Sequence, residues 1–239
     1  MSVIEEGTLA ASQEVLSYFD IASEQATARE EHVVILPGSG CTKSMNRALA
    51  RDFAGCGYRT LCLDFSGHGE SSGNFADLTL ARRRGQAAAL IEACIPAQHP
   101  VILAGFSMSA QTVADLIETL GDRVAGIVLG APAVYPRALR EVPFGDPSFL
   151  QLLSDSETWS DSPALAVFSA FRGKTLLLLP ECDEQVPAAM TELIEQSMRA
   201  NPWFAKQAVP DADHGLDEWF GQHPEARRTL VATFLTASS

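Results

Sequence analysis

The 239-residue chain lacks most of the features that mark a specialised scaffold. Its five cysteines, at 41, 56, 62, 94 and 182, are odd in number and form no C-x-x-C pair. That argues against a disulfide framework or a zinc site and favours small, buried apolar residues. Cys41 alone, in the loop after the first central apolar run, is a candidate reactive thiol. Positive charge is scarce as well: 17 Lys and Arg against 30 Asp and Glu leave a formal net charge of -13. The resulting field repels nucleic acid and anionic membrane surfaces. Long apolar runs are missing, the longest being strand-sized, as at Leu176–Leu179. The opening MSVIEEGTLA has neither the basic nor the apolar segment of a signal peptide. These absences predict a soluble cytoplasmic protein with no nucleic-acid or membrane partner. No repeat, low-complexity tract or flexible linker divides the chain, so residues 1–239 are expected to form one α/β domain.

What is present is an alternation of apolar runs and amphipathic segments from residue 31 onward, which predicts a largely parallel sheet with helices on both faces. Strands are expected at His32–Leu36, Thr60–Phe65, Val101–Phe106, Val124–Leu129, Thr175–Leu179 and Ala205–Val209. Helices are expected at about 43–54, 77–94, 109–120, 187–200 and 223–236. In the first of these, Met45, Leu49 and Phe53 recur at helical spacing and form one stripe toward the sheet. Ser12–Ile21 and residues 3–10 suit an antiparallel edge hairpin. The stretch 134–172 breaks the rhythm. Asp146-Pro147 and Ser162-Pro163 each look like a helix start, with an N-cap followed by proline. The insertion is either a further packing layer or a small helical cap.

Three segments carry chemistry. In Val101-Ile102-Leu103-Ala104-Gly105-Phe106-Ser107-Met108-Ser109-Ala110 a buried strand runs through a tight turn into a helix. This resembles the nucleophile elbow of the α/β-hydrolase superfamily, with Ser109 in place of the last glycine of G-x-S-x-G. Leu36-Pro37-Gly38-Ser39-Gly40 follows the first central strand, where that superfamily carries an H-G-x-G loop, and Pro37 replaces the histidine. Asp64-Phe65-Ser66-Gly67-His68-Gly69-Glu70-Ser71-Ser72-Gly73 looks like its D-x-x-G-H-G-x-S-x-G loop. Together with Asn74 to Thr79, it is similar to cinnamoyl/feruloyl-type esterases and acylglycerol-lipase-like enzymes.

The resemblance implies an α/β-hydrolase fold, with a mostly parallel sheet of about eight strands and a small helical cap. It implies Ser107 as nucleophile, the backbone N–H groups of Ser39 and Met108 as oxyanion donors, and a structural role for His68. The acid and base follow the serine in chain order. His214 and His223 both satisfy that order; Asp211-Ala212-Asp213-His214 matches the family's D-H motif, whereas His223 precedes Pro224 as at a helix start. Asp183, before Val186-Pro187, matches D-x-x-V-P, with Glu181 and Glu184 as rival carboxylates. The implied function is cleavage of a small to medium uncharged carboxylic ester through an acyl-enzyme, without metal or organic cofactor. Thioester hydrolysis and acyl transfer use the same side chains, and a non-catalytic binding protein is the alternative of another class. The apolar richness of the insertion assigns Phe144, Phe149, Trp159 and Phe168 to the substrate pocket, with Leu152, Leu153 and Phe171 nearby. Oligomeric state has no sequence signal.

Overall fold

The computed structural model describes residues 3–11, 13–25, 28–153 and 156–236. Ser12 of the expected hairpin, and residues 154 and 155 of the 134–172 stretch, lie outside the described residues. The strands are β1 (Ile4–Ala11), β2 (Glu14–Ile21), β3 (His32–Leu36), β4 (Arg59–Leu63), β5 (Val101–Phe106), β6 (Val124–Gly130), β7 (Lys174–Pro180) and β8 (Phe204–Val209). They form one eight-stranded sheet in the order β1-β2-β4-β3-β5-β6-β7-β8. β1 and β2 pair antiparallel, β2 meets β4 antiparallel, and every other pairing is parallel. This is the α/β-hydrolase fold expected from the sequence.

Successive residues of a strand point to opposite faces, so a strand covered on both sides must be apolar throughout. Val34, Leu36, Leu103, Ile127 and Leu177 enter the core on one face, while Val33, Ile35, Ile102, Val128 and Leu176 enter the core on the other. The first core is closed by α2 (Leu80–Cys94), α3 (Ser109–Leu120) and α6 (Ala188–Met198), together with the short α4 (Pro147–Leu153) and α5 (Pro163–Ala170). The second is closed by α1 (Arg47–Gly55), α7 (Leu216–Gln222) and α8 (Pro224–Thr236). Among the described residues no helix is long and apolar enough to cross a membrane.

Two local expectations need correction. Lys43–Asn46 form a 3-10 turn, and the α-helix begins only at Arg47, so the expected helix over 43–54 changes pitch near its start. Met45 therefore leaves the Leu49–Phe53 stripe and is 36% exposed, while Leu49 and Phe53 are buried. The cysteines are not uniformly buried either. Cys62 is buried, Cys41, Cys56 and Cys94 are half-buried, and Cys182, in a loop at the sheet edge, is exposed.

Candidate active site

The parallel strands deliver their C-terminal ends to one edge of the sheet, where open α/β sheets characteristically place ligands. Six connections meet there: residues 37–42 after β3, residues 64–79 after β4, the turn at Ser107 after β5, residues 131–135 after β6, residues 181–187 after β7 and residues 210–215 after β8.

The turn after β5 is tight enough to need its particular residues. Ser107 adopts φ 51°, a left-handed conformation that costs a non-glycine residue on the order of 1–2 kcal/mol. The backbone pins it there: Ser107 N–H donates to Gly130 O at 2.8 Å, and Ala133 N–H donates to Ser107 O at 3.1 Å. A β-carbon on Gly105 would lie 2.7 Å from Val113 and 2.9 Å from the Ser109 carbonyl oxygen, so only glycine lets strand and helix approach this closely. The result is an outward-facing hydroxyl beside the N-terminus of α3, where negative charge is favoured.

The β7 and β8 connections bring the sequence-predicted acid and base to that hydroxyl. His214 Nε2 lies 2.8 Å from Ser107 Oγ, and His214 Nδ1 lies 2.9 Å from Asp183 Oδ2. Asp183 Oδ1 accepts the backbone N–H groups of Gln185 at 2.8 Å and Val186 at 3.0 Å, which fixes the carboxylate with one oxygen left for the imidazole. A carboxylate only accepts, so Nδ1 carries the proton and Nε2 is free to accept from Ser107. Glu181 and Glu184 are exposed, and neither is bonded to His214. His223 is also elsewhere, stacked on Trp219 with ring centroids 3.7 Å apart.

Residues 37–40 run alongside Ser107: a β-carbon on Gly38 would lie 3.4 Å from Ser107 Cβ. Ser39 and Met108 both border the cavity in front of Ser107. His68 stands behind this loop, its Nε2 accepting Gly40 N–H at 3.0 Å while its Nδ1 bonds to Ser66 O at 3.1 Å. Burial lowers its pKa, which favours the neutral tautomer those two bonds require. Cys41 is not an activated thiol. Burial, then the neighbouring Asp217 carboxylate, push its pKa up to about 12.

The cavity has a volume of about 800 Å³. Phe144, Phe149 and Trp159 line it as expected, joined by Leu150 and Leu153. Phe168 does not: it is buried in the core, on a helix that packs between α3 and α6. Phe171 borders a separate surface hollow with Ile117 and Val167, and Leu152 is only half-buried against the core. Sequence reasoning missed Phe75, Ala133, Tyr135, Val186, Pro187 and Met190, which extend the wall from elsewhere in the chain. The signal for Val186 and Pro187 is present in the D-x-x-V-P match, since the loop that presents Asp183 to His214 also borders the pocket. No Asp, Glu, Lys or Arg is among the described lining residues. Among the described residues no cluster of three His, Cys, Asp or Glu is arranged to hold a metal ion.

Fold and family agree. The sheet order defines an α/β-hydrolase, and the model of the serine aminopeptidase, S33, family matches residues 27–162, more than half of the chain. The protein belongs to that family of hydrolases. The matched segment contains the 37–40 loop and Ser107 and ends before Asp183 and His214. No curated protein sequence matches the chain. Among solved structures, an alpha-beta serine hydrolase homologue from Coxiella burnetii is 18% identical with a TM-score of 0.68, covering 96% of each chain. Est1E from Butyrivibrio proteoclasticus, solved with ferulic acid bound, is 16% identical with a TM-score of 0.73, over 96% of this chain and 99% of its own. The esterase Pf2001 from Pyrococcus furiosus is 19% identical with a TM-score of 0.70, over 98% of this chain and 92% of its own. At these identities the likeness is one of fold.

Proposed function

We propose that the protein is a serine esterase that hydrolyses small to medium uncharged carboxylic esters. The observation that carries this reading is the hydrogen-bonded chain Asp183, His214, Ser107 opening into an apolar cavity of about 800 Å³. Ser107 Oγ attacks the ester carbonyl carbon as His214 Nε2 takes its proton, and Asp183 stabilises the imidazolium. The carbonyl oxygen gains negative charge and is held by the backbone N–H groups of Ser39 and Met108. Collapse returns the carbonyl, breaks the bond to the alcohol oxygen and passes the His214 proton to the leaving alcohol. Water then gives a proton to His214, attacks the acyl group on Ser107, and releases the acid as Oγ recovers its proton.

The family's description names an aminopeptidase, whose substrate carries a free ammonium group. Among the described lining residues there is no carboxylate to pair with that group and no cation to pair with an anionic acyl chain. An uncharged acyl or aryl group suits the wall best. The 134–172 stretch serves in this reading as a short cap on a single domain that otherwise spans residues 1–239.

Trp159 supports the assignment of that group to the pocket. It is 8% exposed, faces the cavity, and donates from Nε1 to Leu153 O at 3.0 Å. Trp159→Ala is expected to lower kcat/KM for an aryl ester by roughly 10-fold or more relative to the acetate ester of the same alcohol. Steady-state assays on folded variant check this. An unchanged aryl-to-acetyl ratio with a lowered Tm would make Trp159 a packing residue and the stretch a core layer.

A further inference from the structure

The two positions at which the motifs depart from the superfamily pattern, Pro37 and Ser109, are bonded to one another, and a buried arginine completes the contact. Ser109 Oγ donates to Pro37 O at 2.6 Å, while Arg83 Nη2 donates to Pro37 O at 2.8 Å and to Ser109 Oγ at 2.7 Å. Arg83 is fully buried, with its guanidinium 3.7 Å from the centroid of the Phe65 ring. Among the described residues its Nε and Nη1 atoms have no hydrogen-bond partner, so its polar contacts there rest on Nη2. On the other side of the loop, Asp217 Oδ2 accepts Gly38 N–H at 3.4 Å, and its Oδ1 accepts Asn46 Nδ2 at 2.5 Å. Asp217 is 4% exposed and sits in the first turn of α7, three residues after His214.

Pro37 O and Gly38 N–H belong to one peptide unit, and a peptide unit is a rigid plane. Holding its carbonyl from one side and its N–H from the other fixes that plane in a loop whose two glycines would otherwise leave it free. The following unit is constrained in turn. Cys41 N–H donates to Gly38 O at 3.3 Å, and a trans peptide points its N–H opposite its carbonyl. Ser39 N–H is therefore aimed away from Cys41. Gly40 N–H, bonded to His68, secures the far end.

We propose that Arg83 and Asp217 are positioning residues that clamp the Pro37–Gly38 peptide and so aim Ser39 N–H at the oxyanion, with Ser109 as the bridge that replaces a glycine. The inference rests on the esterase reading above. Burial pushes the Asp217 carboxyl up to about 6 and the Arg83 guanidinium down to about 10, so both stay charged at neutral pH and their bonds to the loop are charge-assisted. Two opposite charges buried around one uncharged peptide add little to folding compared with an apolar filling, which points to placement of the loop as their use.

The test compares wild type with Arg83→Met, Arg83→Lys, Ser109→Ala and Asp217→Asn on a p-nitrophenyl ester. Each is also titrated with a trifluoromethyl ketone, which adds to the serine and places an oxyanion, and with the matching methyl alcohol as a ground-state ligand. The clamp predicts that Arg83→Met and Asp217→Asn lower kcat by roughly 10- to 100-fold with little change in KM. Affinity for the trifluoromethyl ketone should fall by the same factor while the alcohol binds as before. Arg83→Lys should recover part of the loss, and Ser109→Ala should lose less than Arg83→Met. Should Arg83→Met not fold, Ser109→Ala and Asp217→Asn decide. Unchanged kcat and ketone affinity in the folded variants, or equal losses of ketone and alcohol binding, would overturn the clamp. A wild type that neither turns over the ester nor binds the ketone would instead overturn the esterase reading.

Discussion

Replacing Ser107 with alanine is expected to lower kcat by roughly 10⁶-fold and to leave the fold intact, as losses of this size follow removal of the nucleophile in serine hydrolases. The reason lies in how Ser107 is held. Its backbone N–H and carbonyl are bonded to Gly130, Ala133 and Ala110, and none of those contacts involves the side chain. Among the described residues the hydroxyl has one partner, His214 Nε2 at 2.8 Å. A second substitution separates the residue's chemical use from its structural cost. At φ 51° the serine is strained, so Ser107→Gly relieves the strain, while the more flexible unfolded chain offsets part of that gain. A net stabilisation of about 1 kcal/mol is expected in urea unfolding, together with the same loss of turnover. A glycine variant less stable than wild type would show that the side chain serves the fold.

Asp183→Asn is expected to lower kcat by roughly 10⁴-fold, the loss that accompanies a wrong histidine tautomer. The neighbouring amides make the outcome specific to this loop. Gln185 and Val186 N–H groups point at Oδ1 and will select the amide oxygen of an asparagine for that place. The amide nitrogen is then turned toward His214 Nδ1, where only the oxygen of aspartate suits a donor. The imidazole must carry its proton on Nε2, facing Ser107 Oγ, and loses the capacity to accept from it. Glu181→Gln and Glu184→Gln, at exposed positions without a bond to the imidazole, are expected to stay within about 3-fold of wild type. A larger loss at Glu184 than at Asp183 in steady-state assays would reassign the acid.

The parts of the fold that were legible in the sequence are those set by local pattern. β3 and β5 coincide with the apolar runs His32–Leu36 and Val101–Phe106, because strands covered on both faces admit no polar interruption. The helix starts at Pro147 and Pro163 were signalled by Asp146 and Ser162. α7 was not anticipated. Leu216, Trp219 and Phe220 are its only apolar side chains, too short a pattern to stand out beside the histidine motif. Ser107, Asp183 and His214 could be singled out because each sits in a turn with its own residue requirements.

The cavity wall could not be read in the same way. Phe75, Tyr135, Val186 and Met190 come from separate segments that meet only in three dimensions, and Phe168, equally apolar, faces a helix interface instead. The clamp was hidden for a similar reason. Arg82, Arg83 and Arg84 are consecutive, yet Arg82 pairs with Glu14 near the surface while Arg83 is fully buried beneath the 37–40 loop. Nothing in the run of three distinguishes the middle residue.

The central claim, that this site forms an acyl-enzyme on Ser107, is tested most directly by the pre-steady-state reaction with a p-nitrophenyl ester followed by mass spectrometry of the quenched protein. When deacylation is the slower step, one equivalent of p-nitrophenol per active chain is expected in a burst before the steady state. The quenched protein should carry the acyl mass on the peptide containing Ser107, and Asp183→Asn should slow the burst. Turnover with no acylated species under any quench, or an acyl group on a residue other than Ser107, would contradict it.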